Sequence, residues 1–267
     1  MKYMATGLTG TLGKKMNSNV LPANVILGTG KLSDYLDPKK EPITLIHFGG
    51  IVGESKVSQD LQYSKKINVD ATVRLAQEVI EVFGGRFIHI SSSHVYGPQE
   101  STITESTPYN PQSNYAKQKM LAEQELLNRL GQNHPQLVIL RIFSVLGWDV
   151  ADFTLGGAVN RILLGSDESI AFSDDIRDFM TPTSIAKAVW TVAEDDELSG
   201  IFNLCTGSGM SVGAAVGEML KIKNCHEKLN QIKPGNSNVP IILGSNRKLL
   251  DTGLDLNLKW DPIDDLQ

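Results

Sequence analysis

The chain has 267 residues, a net charge of -5 and the composition of an ordinary soluble globular protein, long enough to bury one large core or one core with a smaller appendage. Lys and Arg are scattered, which argues against a nucleic-acid footprint or a membrane-binding basic helix, and no apolar run is long enough to cross a bilayer. The start, M-K-Y-M-A-T-G, has no apolar core of a secretory leader, Cys205 and Cys225 fit reduced thiols in a cytoplasm, and the histidines show no ligand spacing, so no metal is expected.

Residues 2 to 6 predict a short strand leading into Thr6-Gly7-Leu8-Thr9-Gly10-Thr11-Leu12-Gly13. In this T-G-x-x-G-x-x-G pattern glycines let the backbone turn tightly and approach a pyrophosphate, with a helix expected to follow and offer free N–H groups. A plain strand-to-helix turn is the competing reading. Asn24 to Leu27 reads as a second strand and Gly28 to Pro42 as a loop with one helical turn. Gly28, Thr29 and Gly30 stand where a dinucleotide fold often places an acid against the adenine ribose, and Lys31 follows them. That arrangement favours NADP over NAD, with Lys31 facing the 2'-phosphate or, in the alternative, simply solvated.

Ile43 to Phe48 is a buried strand ending in Gly49-Gly50. Asn68 to Phe83 predicts a helix whose apolar sets, Val69, Val73, Ala76, Ile80, Phe83 and Leu75, Val79, Val82, span an arc wide enough to pack on two sides. Arg86 to Ile90 is the next strand and delivers Ser91, Ser92, Ser93 and His94 at its carboxyl end, the edge where open parallel sheets bind ligands. A helix from about Ser113 to Leu130 follows, with Ala116, Met120, Leu127 and Leu130 on its inner face. Its first turn carries Tyr115 and Lys119 four residues apart, so both side chains share one face. A free phenol has a pKa of about 10, and a cation beside it would lower that value and make the Tyr a general acid/base. Leu137 to Phe143 is a further buried strand. Beyond Gly147 the rhythm loosens into helices near Phe153 to Leu164, Ser184 to Ala193 and Val212 to Leu220, with a strand at Gly200 to Leu204. Alternating strands and crossovers predict an α/β fold, a Rossmann-like doubly wound parallel sheet. Residues 1–148 form its NAD(P)-binding part, and residues 149–267 complete the sheet and form a small C-terminal substrate-binding lobe.

Taken in order, the glycine turn, I-H-F-G-G from Ile46, Asn68, I-S-S-S-H-V-Y-G from Ile90, Glu105 in I-T-E-S, Tyr115 with Lys119, Arg141 to Gly147, Arg177-Asp178-Phe179 and Phe202-Asn203-Leu204 resemble the extended short-chain dehydrogenase/reductases. These are the nucleotide-sugar epimerases, dehydratases and reductases, and the likeness covers residues 1 to about 222. The resemblance implies Tyr115 as acid/base and Lys119 as the ribose ligand that lowers its pKa. Ser92 would orient the reacting oxygen, with Ser93 as the nearby alternative. It places Gly7, Gly10, Thr11, Leu12 and Gly13 around the pyrophosphate, and Phe48, Gly49 and Gly50 beneath adenosine and ribose. Thr29, Lys31, Asn68 and Ser91 would complete the cofactor site. Ser93, His94, Ser144 and Arg177 would face the substrate, although Arg177 could instead pair internally with Asp174, Asp175 or Asp178.

Departures from the family pattern narrow the reaction. Ser93 and His94 replace the Asp-Glu pair of dehydratases, and Ser144 replaces an Asn that often faces the sugar diphosphate. The compact run between the second strand and Ile43 is similar to dTDP-4-dehydrorhamnose reductase-type enzymes, whereas S-S-S-H-V-Y-G and R-D-F are epimerase-like. The expectation is a 4-keto-sugar reductase acting on a nucleotide sugar, with a 4-epimerase or a non-catalytic dinucleotide sensor as alternatives. A homodimer through the two long helices is also expected.

Overall fold

A strand covered by helices on both faces can carry no polar side, so the continuous apolar runs become the strands of one parallel sheet. The computed structural model describes residues 2–16, 21–22, 30–39, 42–171, 174–234 and 241–266. Among them the sheet comprises β1 (Lys2–Thr6), β2 (Leu21–Pro22), β3 (Ile43–His47), β4 (Arg86–Ser92), β5 (Leu137–Ile142) and β6 (Gly200–Leu204). The spatial order is β2-β1-β3-β4-β5-β6 and every pairing is parallel. After β2 the chain passes back across β1 to β3, so the loops leaving β1 and β3 diverge and a crevice opens between them.

Successive residues of each strand serve opposite faces. Met4, Leu45, Phe87 and Ile139 pack with Val73, Leu75, Val79, Leu126 and Leu127, while Ala5, Ile46, Ile88 and Leu140 pack with Ile185, Val189 and Val192. Each such side chain contributes about 1.5–3 kcal/mol of burial, so the double covering dominates the stability of the sheet.

The first face carries α1 (Glu54–Gln59), α2 (Leu61–Lys65), α3 (Thr72–Gln77) and α4 (Asn114–Leu130). The helix expected from Asn68 begins earlier: the Asp60 carboxylate accepts the Tyr63 N–H at 2.9 Å and caps α2. π-helical Lys66–Ala71 joins α2 to α3, and π-helical Glu78–Val82 continues beyond it. The polar run around Asp60 hides this start from a periodicity reading. Both apolar sets of the helix are buried except Val82, which is 50% exposed. In α4, capped by Ser113, the buried face carries Gln118, Lys119 and Glu123 among its apolar residues, while Met120 and Leu130, expected inside, are only half-buried. The strand expected at Asn24 to Leu27 lies outside the described residues. Where a helix was expected after the glycine turn, the described residues show a single 3-10 turn, Gly13–Lys15.

From the second half come α5 (Leu155–Leu163), α6 (Pro182–Glu194) and α7 (Val212–Ile222). α6 covers the second face of the sheet. α5 and α7 share a separate core with Leu146, Phe179 and Trp260. Three short strands, Met210–Ser211, Ile176–Arg177 and Ile241–Ile242, form a small sheet, and Ser144–Val145 pairs with Phe179–Met180.

β3 and β4 bring His47 and His89 together in the core, ring centroids 5.9 Å apart. His47 bridges Thr6 Oγ1 at 2.7 Å and Thr72 Oγ1 at 3.0 Å. Burial, and secondarily the Lys119 charge, push its pKa down to about 3. The His89 ring nitrogens have no partner among the described residues, and burial followed by Lys119 and His47 lowers that pKa as well. Both rings are therefore neutral when folded but take up protons when unfolded below about pH 6.5. Their contribution to stability is full above that pH and is lost as pH falls towards the folded values. Replacing His89 by Phe removes an unsatisfied buried donor, worth about 1–3 kcal/mol. The urea midpoint should rise, and rise more at pH 5 than at pH 7.5; a gain independent of pH would contradict the neutral buried ring.

Candidate active site

The crevice begins at the glycine turn. Gly7 has φ +74° and no room for a side chain, since a Cβ would lie 2.9 Å from the Gly49 nitrogen. The turn closes with the Gly10 N–H on the Gly7 carbonyl at 2.9 Å, and Gly13 packs directly on that same carbonyl. Thr6 Oγ1 accepts the Gly49 N–H at 3.0 Å, which ties the turn after β1 to the loop after β3. Gly10 is exposed and Gly7, Thr11, Leu12, Phe48 and Gly50 are partly so, while Gly13 and Gly49 are buried as spacers. Asn68 acts from behind: its amide accepts the Ile51 N–H at 2.7 Å and donates to Ile51 O at 3.0 Å and Gln118 Oε1 at 2.8 Å. It shapes the loop after β3 and has these bonds, not the cleft, as its partners.

Lys31 is exposed at the start of the 3-10 turn Leu32–Asp34, with its backbone N–H on Asp34 Oδ2 at 2.9 Å. Helical residues hold this stretch in place: Arg74 donates to the Gly30 carbonyl, and Glu78 accepts the Ser33 N–H at 2.8 Å. Thr29 lies outside the described residues.

At the far side of the crevice β4 meets α4. Lys119 Nζ donates to the Ile90 carbonyl at 2.8 Å, and the Tyr115 phenol is hydrogen-bonded to the Ser92 hydroxyl. Ser92 Oγ also accepts the His94 N–H at 3.2 Å, starting a 3-10 turn that buries Ser93 and sets the His94 ring edge-on to Tyr115, with centroids 6.1 Å apart. The Glu54 carboxylate fixes the beginning of α4 by accepting the Tyr115 N–H at 3.0 Å and Asn114 Nδ2 at 3.0 Å.

Burial pushes the Tyr115 pKa up to about 12, opposed by Ser92. The phenol lowered by its lysine, expected from helical spacing, is not the arrangement here, because the Lys119 ammonium is drawn to the Ile90 carbonyl. Burial lowers the Lys119 pKa to about 8, with Glu123 acting in the opposite sense. At neutral pH the phenol is thus a proton donor and the lysine a cation. The protein packed around His94, and then Arg177, hold the imidazole pKa below its usual value.

Ser91, expected at the cofactor, is buried and turns to Glu123 instead. Glu123 receives Arg141 Nη2 at 2.6 Å and Tyr109 OH at 2.8 Å. The guanidinium carbon of Arg141 lies 4.8 Å and 4.9 Å from the ring centres of Tyr96 and Tyr109. Glu123, Tyr109 and Tyr96 escaped the sequence reading, although two signals were present. Tyr115, Lys119 and Glu123 are spaced i, i+4, i+8, and Arg141 interrupts an apolar strand where a charge requires a partner.

The Ser144–Val145 strand brings Ser144 beside the Arg177-Asp178-Phe179 segment, with Ser144 N–H on Asp178 O at 2.9 Å. Arg177 pairs with Asp175 at 2.7 Å, as its internal reading anticipated. Asp178 turns away to accept Thr206 Oγ1 at 2.7 Å and Gly207 N–H at 2.9 Å. Ser92, Tyr115, Lys119 and His94 therefore form one cluster, and Arg177 acts electrostatically on it through His94. Among the described residues no group of three or more His, Cys, Asp or Glu is placed to hold a metal.

Residues 23–205 match the family model described as the NAD dependent epimerase/dehydratase family. The GDP-6-deoxy-D-mannose reductase of Pseudomonas aeruginosa is 24% identical over 232 residues, 79% of this chain and 76% of that protein. The UDP-glucose 4-epimerase of Pasteurella multocida is 30% identical over 219 residues, 71% of this chain and 62% of the epimerase. The fold is shared with a dTDP-4-dehydrorhamnose reductase of Clostridium acetobutylicum, at TM-score 0.82 and 22% identity over 100% of both chains. Across four curated relatives, the chain spans 53% to 76% of their length. The family match takes in the loop after β3, the end of β4, all of α4 and β6, though not the glycine turn that precedes it, and by that match the chain belongs to the NAD dependent epimerase/dehydratase family.

Proposed function

We propose that this chain is a nicotinamide-dependent oxidoreductase acting at a sugar carbon of a nucleotide sugar, a 4-keto-sugar reductase in preference to a 4-epimerase. The observation that carries the reading is Tyr115, half-buried, protonated at neutral pH and hydrogen-bonded to Ser92 at the carboxyl edge of the sheet. A neutral phenol is poised to donate, which is the proton step of carbonyl reduction.

The glycine turn fits a pyrophosphate, because Gly10 is exposed and Gly7 partly so, leaving backbone without side chains at the cleft. Gly7, Gly10, Thr11 and Leu12 would hold it, with Gly13 packed inside the turn, Gly49 keeping the two loops in contact and Phe48 and Gly50 lining the ribose side. A bound nicotinamide supplies the hydride to the sugar carbon or takes it up. Ser92 donates to the substrate oxygen and orients it. Tyr115 gives that oxygen its proton during reduction and recovers it from the hydroxyl in the reverse sense. Lys119, held by Ile90, presents its remaining N–H groups towards the ribose. NADP is preferred to NAD because Lys31 is exposed at the turn after the second strand position. Arg177 and Ser144 face the substrate diphosphate, with Asp175 as the internal competitor for the guanidinium. Residues 149–267 supply that substrate side. The epimerase reading is favoured by the UDP-glucose 4-epimerase relatives and by S-S-S-H-V-Y-G.

The free thiols of Cys205 and Cys225 support a reducing cytoplasm as its location. Assembly as a homodimer through the two long helices, Asn68 to Phe83 and α4, is supported by exposed Val82 and Leu121 on them.

With 4-keto nucleotide sugars the protein should consume NADPH; interconversion of 4-hydroxy sugars without net oxidation would select the epimerase, and binding without turnover would reject both. Tyr115→Phe should lower kcat by about 10²–10⁴-fold while NADPH fluorescence still reports binding, and full activity would remove Tyr115 from its role. Gly7→Ala forces an L side chain into the left-handed region, a strain of about 1–3 kcal/mol, and should weaken NADPH binding about tenfold or more; unchanged affinity would place the pyrophosphate elsewhere. Light scattering should give twice the chain mass, and a monomer at tens of micromolar would exclude the proposed interface.

A further inference from the structure

Glu123 lies one helical turn beyond Lys119 and is fully buried. Its carboxylate accepts Arg141 Nε at 3.0 Å and Nη2 at 2.6 Å, the Tyr109 hydroxyl at 2.8 Å, and the Ser91 hydroxyl. Arg141 in turn donates from Nη1 to Tyr96 OH at 2.6 Å, and Tyr96 donates to Asn203 Oδ1 at 2.8 Å, so the network spans β4, β5 and β6. A buried ion pair is often no more stabilising than a well-packed apolar pair, so stability is a poor reason for building one here. Its geometry offers another. Ser91 is flanked in the chain by Ile90, whose carbonyl receives Lys119, and by Ser92, whose hydroxyl meets Tyr115.

We propose that Glu123 is a positioning residue of the acid/base site: by holding Ser91 it fixes the Ile90 carbonyl on Lys119 and the Ser92 hydroxyl on Tyr115, while its carboxylate serves as counter-charge to the Lys119 ammonium. This deepens the function proposed above and rests on it for the word catalysis, but not for the electrostatics.

The groups around Lys119 leave Glu123 as its counter-charge. His47 and His89 approach from β3 and β4, and both are neutral. Tyr115 shares the helix and is protonated, and Glu54 lies beyond it at the exposed helix start. The π-helical segment packed on α4 contributes neutral Asn68 and carries Lys66 and Asp70 on its exposed side. Arg141, from β5, is held by Glu123 itself. Burial lowers the Lys119 pKa to about 8, and Glu123 is the charge that opposes it.

The test titrates the full chain labelled with ¹³C at lysine Cε, the Lys119 signal being assigned with Lys119→Met. Glu123→Gln should move the Lys119 midpoint down by about 1 unit, and an unchanged midpoint would overturn the counter-charge. If the lone Arg141 charge prevents that variant from folding, the double variant Glu123→Leu, Arg141→Met removes both charges, and a wild-type midpoint there would overturn it equally. Ser91→Ala leaves the ion pair in place and should keep the midpoint while lowering kcat about tenfold at unchanged KM for NADPH; wild-type kcat would overturn the positioning. The titration needs no substrate. A protein without sugar turnover but with a shifted midpoint therefore loses the proposed function and retains the counter-charge. Without turnover, the positioning is read from the Tyr115 phenol signal in ¹³Cζ-tyrosine spectra, which Ser91→Ala should shift and which, unmoved, would overturn it.

Discussion

A parallel sheet must bury both faces, and this constraint governs where polar chemistry can survive in the molecule. Polar side chains are tolerated at the carboxyl edge, where the strands end, or in the interior at a cost that a partner removes and that His89 still carries. The edge supplies Ser92 and the glycine turn. Two interior exceptions, His47 between two threonines and Arg141 against Glu123, lie on the face covered by α3 and α4, whereas Arg86 meets the carbonyls of Val192 and Leu198 at the end of α6. The α3/α4 face is also the one from which Lys119 reaches the strand end, so His47, Arg141 and their partners form a floor under the cleft.

The same constraint explains how the site obtains its protonation states. Removing water raises the phenol and lowers the ammonium, and each residue is then corrected by one neighbour, Ser92 for Tyr115 and Glu123 for Lys119. A reading from helical spacing alone assigns the correction to the wrong partner. Spacing shows that Tyr115 and Lys119 share a face, but it does not show that a backbone carbonyl competes for the ammonium.

The four strands from β3 to β6, the α4 helix and the grouping of Ser92, Tyr115 and Lys119 were legible because continuous apolar runs, helical spacing and ordered motifs are local properties. The start of the helix before Asn68 was not, since its signal is one cap, Asp60, in a polar run without an apolar stripe. Ser91 was misplaced because three consecutive serines alternate in direction along a strand, and only the register of β4 against β5 tells which one turns inward. Glu123 and Arg141 were visible as charges in apolar settings, but their pairing joins residues eighteen positions apart through the sheet. Asn68 carries a motif position while working on the backbone of Ile51, a distinction that needs coordinates.

β6 reaches the sheet only after α5 and α6 have been made, yet it completes the polar floor: Asn203 accepts from Tyr96, and Glu105 accepts the Asn203 N–H at 2.8 Å. The sheet formed by residues 1–148 therefore cannot close by itself. Without the later strand, β5 would become a long bare edge, open to pairing with other chains, and the Arg141 network would face water. The two segments read along the sequence are interleaved in one sheet, and the floor beneath the cleft is finished by a strand that follows α4 by about seventy residues.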